Sequence, residues 1–311
     1  MRCQYCMAEN MHFLPKLARM TANEIITLAH NFIDRGVTRI RLTGGEPLTH
    51  PDVITIADNI GSRLGATQSG TLRELTLSTN GALLHKFAAP LCAAGIRRVN
   101  ISMDTRDPAA FAGITRGGAL ADVDRGIDAA QSAGLAIKIN MVAMRGFNQD
   151  QLLPMLEFCN NRGLDLTLIE AMPVGDVDMA MRDAFILMDE FLRPIGGKSA
   201  LHAVDLRTGG PARYFSTAIA PRVRIGLITA LSNNFCAQCN RIRVTASGRV
   251  YMCLGQDSHV DLLAPLRAGN TAEFDDRLDL AMRRKSAHHD FDAYSSTTPY
   301  AVARHMSVTG G

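Results

Sequence analysis

A rhythm of strand, loop, helix and glycine constrains this chain more than any other feature of it. Thr21-Ala22-Asn23-Glu24 reads as a helix start, with Thr21 as N-cap and Glu24 placed to complete a capping box; the helix runs to about Arg35 and Gly36 ends it. Thr38 to Thr43 alternates as a strand does and leads straight into Gly44-Gly45-Glu46-Pro47. The order then returns. A strand from Arg73 to Thr79 ends in Asn80-Gly81, a helix from Leu83 to Ala94 is closed by Gly95, and a strand from Arg98 to Met103 ends at Asp104. A helix from Leu120 to Ala133 is closed by Gly134, a strand follows from Leu135 to Met144, a helix from Gln149 to Arg162 is closed by Gly163, and a strand from Asp165 to Ala171 ends near Met172-Pro173. Strands separated by helices lie parallel, joined by right-handed crossovers.

Polar residues follow these strands, at Gly44 to Glu46, Ser78 to Asn80, Ser102 to Asp104 and Met172. In a closed or partly closed parallel barrel such positions share one mouth, where these folds place their chemistry. No Gly-x-Gly-x-x-Gly follows any strand, which argues against a doubly wound nucleotide-binding sheet. The expected class is α/β, a parallel (β/α) barrel. After Val174 the rhythm fails: Arg207 to Tyr214 is rich in Gly and Pro, while Pro221 to Leu231 and Arg241 to Val250 resemble strands. The expected division is residues 1–175 as a partial barrel and 176–311 as its completion plus a C-terminal extension.

Of 311 residues, 47% are hydrophobic and 20% charged, the balance of a soluble globular protein with an ample core and no apolar run long enough to span a bilayer. A net charge of +3 is too slight to argue for nucleic acid. Of seven cysteines, five fall in clusters with metal-like spacing, which suits a reducing compartment, and the cytoplasm is the expected location. Met1 to Cys6 shows neither the charged start nor the apolar core of a signal peptide.

The chemistry lies in those clusters. Cys236 and Cys239, with two residues between them, and Cys253 further on can bring three thiolates around one metal centre, with Arg241 and Arg243 beside it as an anion clamp. Three thiolates leave one coordination position for another ligand. Spacing alone does not separate structural zinc from an iron–sulfur cluster; a fourth ligand would favour zinc, and His259 is the nearest candidate. A second pair, Cys3-Gln4-Tyr5-Cys6, opens the chain, so the fold must bring its two ends together. Cys92 and Cys159, inside predicted helices, read as small buried hydrophobes.

Cys3-Gln4-Tyr5-Cys6 taken with Gly44-Gly45-Glu46-Pro47 resembles the radical S-adenosylmethionine (SAM) superfamily, in which a Cys-x-x-x-Cys-x-x-Cys loop holds a [4Fe-4S] cluster and the glycine turn receives the SAM amino group. Further motifs follow in order: Leu77-Ser78-Thr79-Asn80-Gly81, Asn100 to Thr105, Ile114 to Gly118, Ile137-Lys138-Ile139-Asn140, Phe235 to Arg243 and the terminal Gly310-Gly311. With them, essentially the whole chain is similar to the GTP 3′,8-cyclases of molybdenum cofactor biosynthesis. The resemblance implies a radical SAM barrel, incomplete because its first strand is missing. It implies Cys3 and Cys6 as ligands of the SAM cluster, and Tyr5, Gly44, Gly45, Glu46, Ser102 and Met172 as SAM contacts. Cys236, Cys239 and Cys253 would hold a second [4Fe-4S] cluster whose open iron meets guanine, and Arg41, Ser78, Lys138, Arg241 and Arg243 would bind GTP; the family often has Thr where Ser78 stands.

The implied reaction takes hydrogen from C3′ of the ribose by a SAM-derived radical and joins C3′ to C8, giving (8S)-3′,8-cyclo-7,8-dihydroguanosine 5′-triphosphate, with Gly310 and Gly311 reaching into the active site. An electron donor such as flavodoxin, hand-off to a cyclic pyranopterin monophosphate synthase and a homodimer are implied in the same way; no nucleic acid or membrane is. The family's first cluster cysteine would lie four positions before Cys3, upstream of Met1, along with the first strand and a GTP-binding arginine. The expectation is an N-terminally truncated chain, either a start set at an internal methionine or a fragment, the former ahead of a natural variant. A first cluster short of one ligand puts the activity of the chain as written in question, and the strand from Arg39 to Thr43 would expose an edge. The competing readings are another radical SAM enzyme with an auxiliary cluster and a non-catalytic zinc-binding paralogue.

Overall fold

Each strand of the repeat carries apolar side chains at every second position, and that alternation sets the layers of the molecule. The computed structural model describes residues 1–7, 14–65, 70–175, 183–233, 235–286, 302 and 304–310. Strands β1 (Arg39–Leu42), β2 (Glu74–Thr79), β3 (Arg98–Ser102), β4 (Ala136–Ala143) and β5 (Asp165–Glu170) lie parallel in chain order. Of the next three, β6 (His202–Val204), β7 (Arg213–Ser216) and β8 (Ile225–Ile228), the last joins β5 in parallel, and β7 then β6 continue the sheet antiparallel. The sheet is mostly parallel with helices around it, in the α/β class expected, and β1 and β6 are its edges.

Leu75 and Leu77 of β2, Val99 and Ile101 of β3, Ile139 and Met141 of β4, Leu166 and Leu168 of β5 and Ile225 of β8 are almost fully buried. They share one core with residues of α1 (Ala22–Asp34), α2 (Val53–Gly61), α3 (Leu84–Ala93), α4 (Pro108–Thr115), α5 (Leu120–Ser132) and α6 (Leu152–Arg162). At about 1.5–3 kcal/mol per buried aliphatic side chain, this outer face is the main source of stability.

The intervening positions are polar, and register aligns them in rows across the sheet. Arg41, Thr76 and Arg98 form one row, Ser78, Asn100 and Lys138 the next, and Ser102, Asn140 and Thr167 the third. A parallel sheet covered on both faces is normally apolar on both. Here Thr76, Ser78, Asn100, Lys138 and Thr167 are buried on the inner face.

The C-terminal extension builds a second layer. β9 (Arg243–Val244), β10 (Arg249–Tyr251) and β11 (His259–Asp261) form a small antiparallel sheet. Between β5 and β6 lies the short α7 (Met188–Phe191); after β11 come α8 (Leu263–Arg267), α9 (Thr271–Arg283) and α10 (Met306–Thr309). Val250, Met252, Val260, Phe274 and Leu278 pack on Leu28 and Phe32 of α1. Arg35 pairs with Asp275 at 2.8 Å and Asp279 at 2.7 Å across the same seam.

The expected capping box is present: Glu24 N–H donates to Thr21 Oγ1 at 3.3 Å and Thr21 N–H to Glu24 Oε2 at 2.7 Å. The stretch Pro221 to Leu231 narrows to β8, and Arg241 to Val250 folds as β9 and β10 around a turn in which Gly248 N–H donates to Thr245 O. The Gly- and Pro-rich stretch from Arg207 ends not in a loop but in β7. Among the described residues no helix is long and apolar enough to cross a membrane.

Candidate active site

The loops after β1, β2, β3 and β5 meet at one mouth. Around Gly44 and Gly45 the space where a Cβ would stand is open, which leaves the turn backbone approachable. Glu46 fixes that turn: its carboxylate accepts from Leu48 N–H at 3.0 Å, Thr79 Oγ1 at 2.7 Å and Asn80 N–H at 2.7 Å, although burial raises its pKa. Ser102 is exposed at the end of β3, and half-buried Met172 follows β5.

The N-terminal cysteines sit on a tight turn, Cys6 N–H donating to Cys3 O, which is docked on the end of α4 by Arg2 N–H to Thr115 O and Gln4 N–H to Ile114 O, each 3.0 Å. Asp104, at 4% exposure, anchors it, accepting from Tyr5 Oη at 2.8 Å and from Val142 N–H at 2.9 Å. Burial lifts the Asp104 carboxyl to about 6. Burial, with the Asp104 charge added, lifts the thiols of Cys3 to about 12 and Cys6 to about 11. Such thiols ionise only when a cation meets them, which is the condition for metal ligation. No role for Asp104 was expected from the sequence; Tyr5 reaches it across 99 residues.

Inside the sheet, Lys138 Nζ donates to Tyr214 Oη at 3.4 Å, and that hydroxyl shares a 3.0 Å hydrogen bond with Thr208 Oγ1. Gly226, between Thr167 and Tyr214 in the register, makes room: a Cβ there would stand 3.0 Å from Thr167 Oγ1 and 3.2 Å from the Tyr214 ring. Burial and the charges of Arg98 and Arg41 bring the Lys138 amine down to about 7. Arg41 is lowered in turn, by burial and by the charges of Arg98 and Arg241. Among the described residues, Arg98 Nη1, Asn100 Oδ1, Asn140 Oδ1 and Thr167 Oγ1 are buried without a hydrogen-bond partner. Each such atom costs about 1–3 kcal/mol, so their concentration on one face marks a surface shaped for a polar ligand.

The C-terminal cysteines lie where the extension meets this mouth. Cys239 N–H donates to Cys236 O at 2.9 Å in a short turn. Lys285, which sequence motifs did not reveal, staples the group: its Nζ donates to Arg241 O at 2.9 Å and Met252 O at 2.8 Å, and lies 3.7 Å from Cys239 Sγ. Burial would raise the Cys239 thiol, but the Arg241 N–H and the charges of Arg241 and Lys285 outweigh it and lower the pKa. Arg241 lies over the Phe235 ring at 5.4 Å. Arg243, lowered to about 10 by burial and by Arg241 and Arg41, donates from Nη1 to Gly310 O and to Thr309 O at 3.4 Å.

Gly310, at φ 75°, sits where a Cβ would come 2.4 Å from Thr43 Cγ2, so the tail touches the residue preceding the glycine turn. The tail is held along its length: Gly175 N–H donates to Val302 O at 2.9 Å, and Arg304 stacks on Tyr251 at 4.1 Å while donating to Leu254 O at 2.7 Å. Gly311 and Asn234 lie outside the described residues.

Among the described residues no three His, Cys, Asp or Glu side chains stand as a ready-made metal group. His259 joins no such set; it faces Tyr251 across the β10–β11 pair, with Nδ1 2.9 Å from Asp257 O. Cys159 is a fully buried core residue, whereas Cys92 is half-buried and accepts from Arg97 Nη1 at 3.2 Å.

A mostly parallel sheet with a cysteine turn and a glycine turn at its C-terminal mouth defines a radical SAM protein, and the Radical SAM superfamily model matches residues 1–159. The Molybdenum Cofactor Synthesis C model matches residues 164–291. The GTP 3′,8-cyclase of Rhizobium meliloti (strain 1021) is 47% identical over 100% of this chain and 88% of its own length, and that of Mesorhizobium japonicum (strain LMG 29417 / CECT 9101 / MAFF 303099) is 45% identical over 100% and 93%. The chain belongs to the GTP 3′,8-cyclase family. Its fold is also similar to that of Streptococcus suis SuiB, with a TM-score of 0.54 at 12% identity over 82% of this chain and 57% of SuiB.

Proposed function

We propose that this chain is the radical SAM enzyme that cyclises GTP to (8S)-3′,8-cyclo-7,8-dihydroguanosine 5′-triphosphate, the first step of molybdenum cofactor biosynthesis. The observation that carries the reading is the contact of three parts far apart in sequence: Arg243 holds Gly310, and Gly310 lies on Thr43 beside the glycine turn. These contacts support one site shared by the glycine turn, the cationic inner face and the second cysteine group.

Two iron–sulfur clusters would draw on two thiolates of the N-terminal turn, one short of the family's set, and on three of the C-terminal group, although among the described residues neither set is gathered as a metal group. Cys3 and Cys6 project from one anchored turn, and Cys239, adjacent to Arg241 and Lys285, has a thiol already biased toward the thiolate. Cys3 and Cys6 would hold the first cluster and Cys236, Cys239 and Cys253 the second, with Tyr5, Gly44, Gly45, Glu46, Ser102 and Met172 around SAM. When bound, the reduced cluster and SAM supply a carbon radical able to take hydrogen from ribose C3′.

The chain's own residues do the rest. Asp104 and Tyr5 hold the cysteine turn, and Glu46 holds the glycine turn to β2. Arg41, Lys138 and Ser78 would grip the triphosphate, and Lys138 Nζ would take up a proton when phosphate arrives. Arg241, Arg243 and the tail would orient the guanine and exclude water, so that C3′ and C8 meet. A division at residue 175, flavodoxin as electron donor, hand-off to cyclic pyranopterin monophosphate synthase, a homodimer and a cytoplasmic setting complete the proposal on family grounds.

Calorimetric titration of the anaerobically reconstituted chain tests it. GTP should bind at least about tenfold more tightly than ATP, and Arg241→Ala with Arg243→Ala should abolish that preference. With SAM and a reductant, 5′-deoxyadenosine should form only in step with the cyclised nucleotide. Equal affinity for ATP and GTP would sink the reading.

A further inference from the structure

The second cysteine group is carried on two segments, 236–241 and 252–253, and among the described residues its thiols do not stand together as a metal group. The backbone beside them is nevertheless fixed, and one side chain fixes it. Lys285 Nζ donates to Arg241 O at 2.9 Å, two residues past Cys239, and to Met252 O at 2.8 Å, the residue before Cys253. It also faces Cys239 Sγ at 3.7 Å. An ammonium has three N–H bonds, and all three are directed at this group.

Lys285 reaches the group from just past the end of α9, a helix whose place is set without any metal. Phe274, Leu278 and Ala281 of that helix are buried in the core that includes Leu28 and Phe32 of α1. Arg277 Nη1 donates to Asp261 O at 2.8 Å and ties the same helix to β11. The partners of the ammonium are two carbonyls and a thiol rather than a carboxylate, so its charge is free to act on the sulfur. Arg241 Nη2, 3.9 Å from the same sulfur, is the more distant donor, and its guanidinium also lies over the Phe235 ring.

We propose that Lys285 is a positioning residue of the second centre: it holds the two cysteine-bearing segments in register and, by donating to the Cys239 sulfur, raises the reduction potential of an iron–sulfur cluster bound there. The assignment rests on the two-cluster reading above and adds the side chain that sets how readily that cluster takes an electron. When dithionite reduces such a cluster, one electron passes to the iron and sulfur atoms, dithionite is oxidised, and no bond to a cysteine forms or breaks. The cluster gains one negative charge. Positive charge and hydrogen bonds at the ligand sulfurs favour that reduced state.

The test uses the full chain with Cys3→Ala and Cys6→Ala as parent, so that only the second group can hold a cluster, reconstituted anaerobically and titrated with dithionite while its paramagnetic signal is followed. Lys285→Gln keeps N–H donors for the carbonyls but removes the charge. It should hold the parent's iron to within about twofold. At a fixed potential its ratio of reduced to oxidised cluster should fall about tenfold, a midpoint about 59 mV lower. Lys285→Arg, which keeps the charge, should restore that ratio to within about threefold, a rescue that a merely structural lysine would not give. Lys285→Met loses charge and donors together; it should raise hydrogen exchange across residues 249–253 in the metal-free chain and lower retained iron at least about twofold. An unchanged midpoint in Lys285→Gln, an equal fall in Lys285→Arg, or unchanged exchange and iron in Lys285→Met would overturn the proposal and leave the two-cluster reading intact. Iron lost alike from the Gln and Arg variants, with exchange raised throughout α9, would make Lys285 a packing element of the helix and overturn it too. A parent that keeps zinc and no iron would overturn both the proposal and the second cluster.

Discussion

Lys138 holds the least comfortable charge on the inner face. Its amine titrates at about 7 in the folded chain against an ordinary 10.5, because burial and the nearby Arg98 and Arg41 disfavour the ammonium. The sign of the linkage follows. The folded state prefers the neutral amine, so this residue subtracts stability below pH 7 and the penalty fades as pH rises from about 7 toward 10.5. A triphosphate supplies the missing counter-charge and returns the proton. GTP binding at pH 8 should therefore take up close to one proton, read as the dependence of binding enthalpy on buffer ionisation enthalpy, and affinity should fall as pH climbs through 7. Lys138→Met should remove the proton uptake and weaken binding about 10-fold or more. Zero uptake by the wild type at pH 8 would place the triphosphate away from Lys138.

Helices set where the mouth's loops stand, and α5 does so by contact with a turn. Gly126 in its middle allows this: a Cβ there would meet Gly81 O at 2.1 Å, in the turn just after β2 whose Asn80 N–H holds Glu46. Alanine favours a helix over glycine by about 1 kcal/mol, yet Gly126→Ala should destabilise the chain by about 1–3 kcal/mol, because the obstacle is backbone. Gly113→Ala in α4, with open space around its Cβ, should instead stabilise by about 0.5–1 kcal/mol. Paired thermal unfolding reads both. At this scale the sequence was legible wherever signals are local: the Thr21–Glu24 box and the alternation from Arg98 to Ser102 needed no distant partner. α4 escaped notice although Asp107 caps it and Pro108 opens it, since eight residues carry little periodicity. β7 escaped because its strand character comes from pairing with Gly226 and its neighbours. In the site, cysteines, glycines and arginines in motifs could be read directly. Asp104, Arg98 and Lys285 could not, because each acquires its role only through a residue brought to it by the fold.

Across the whole molecule, α1 is shared between two cores. Ala29 and Ile33 face the main sheet, while Leu28 and Phe32 face Val250, Met252, Phe274 and Leu278 of the extension. The second cysteine group is thus positioned through α1, and two kinds of contact compete for the credit. The Arg35 pairs with Asp275 and Asp279 are partly exposed and worth under about 1 kcal/mol each. Phe32, at 7% exposure, is worth about 3–5 kcal/mol on truncation to Ala. The apolar seam therefore decides the docking. Phe32→Ala should raise hydrogen exchange in β10 and β11 and lower GTP affinity, whereas Arg35→Ala should change neither by more than about twofold. The strands β2 to β5 should keep their protection in Phe32→Ala, because their own core does not include that side chain. If exchange rose equally in β2 to β5, sheet and extension would unfold as one unit, and α1 would be a strut of a single core rather than the joint through which the extension is aimed at the mouth.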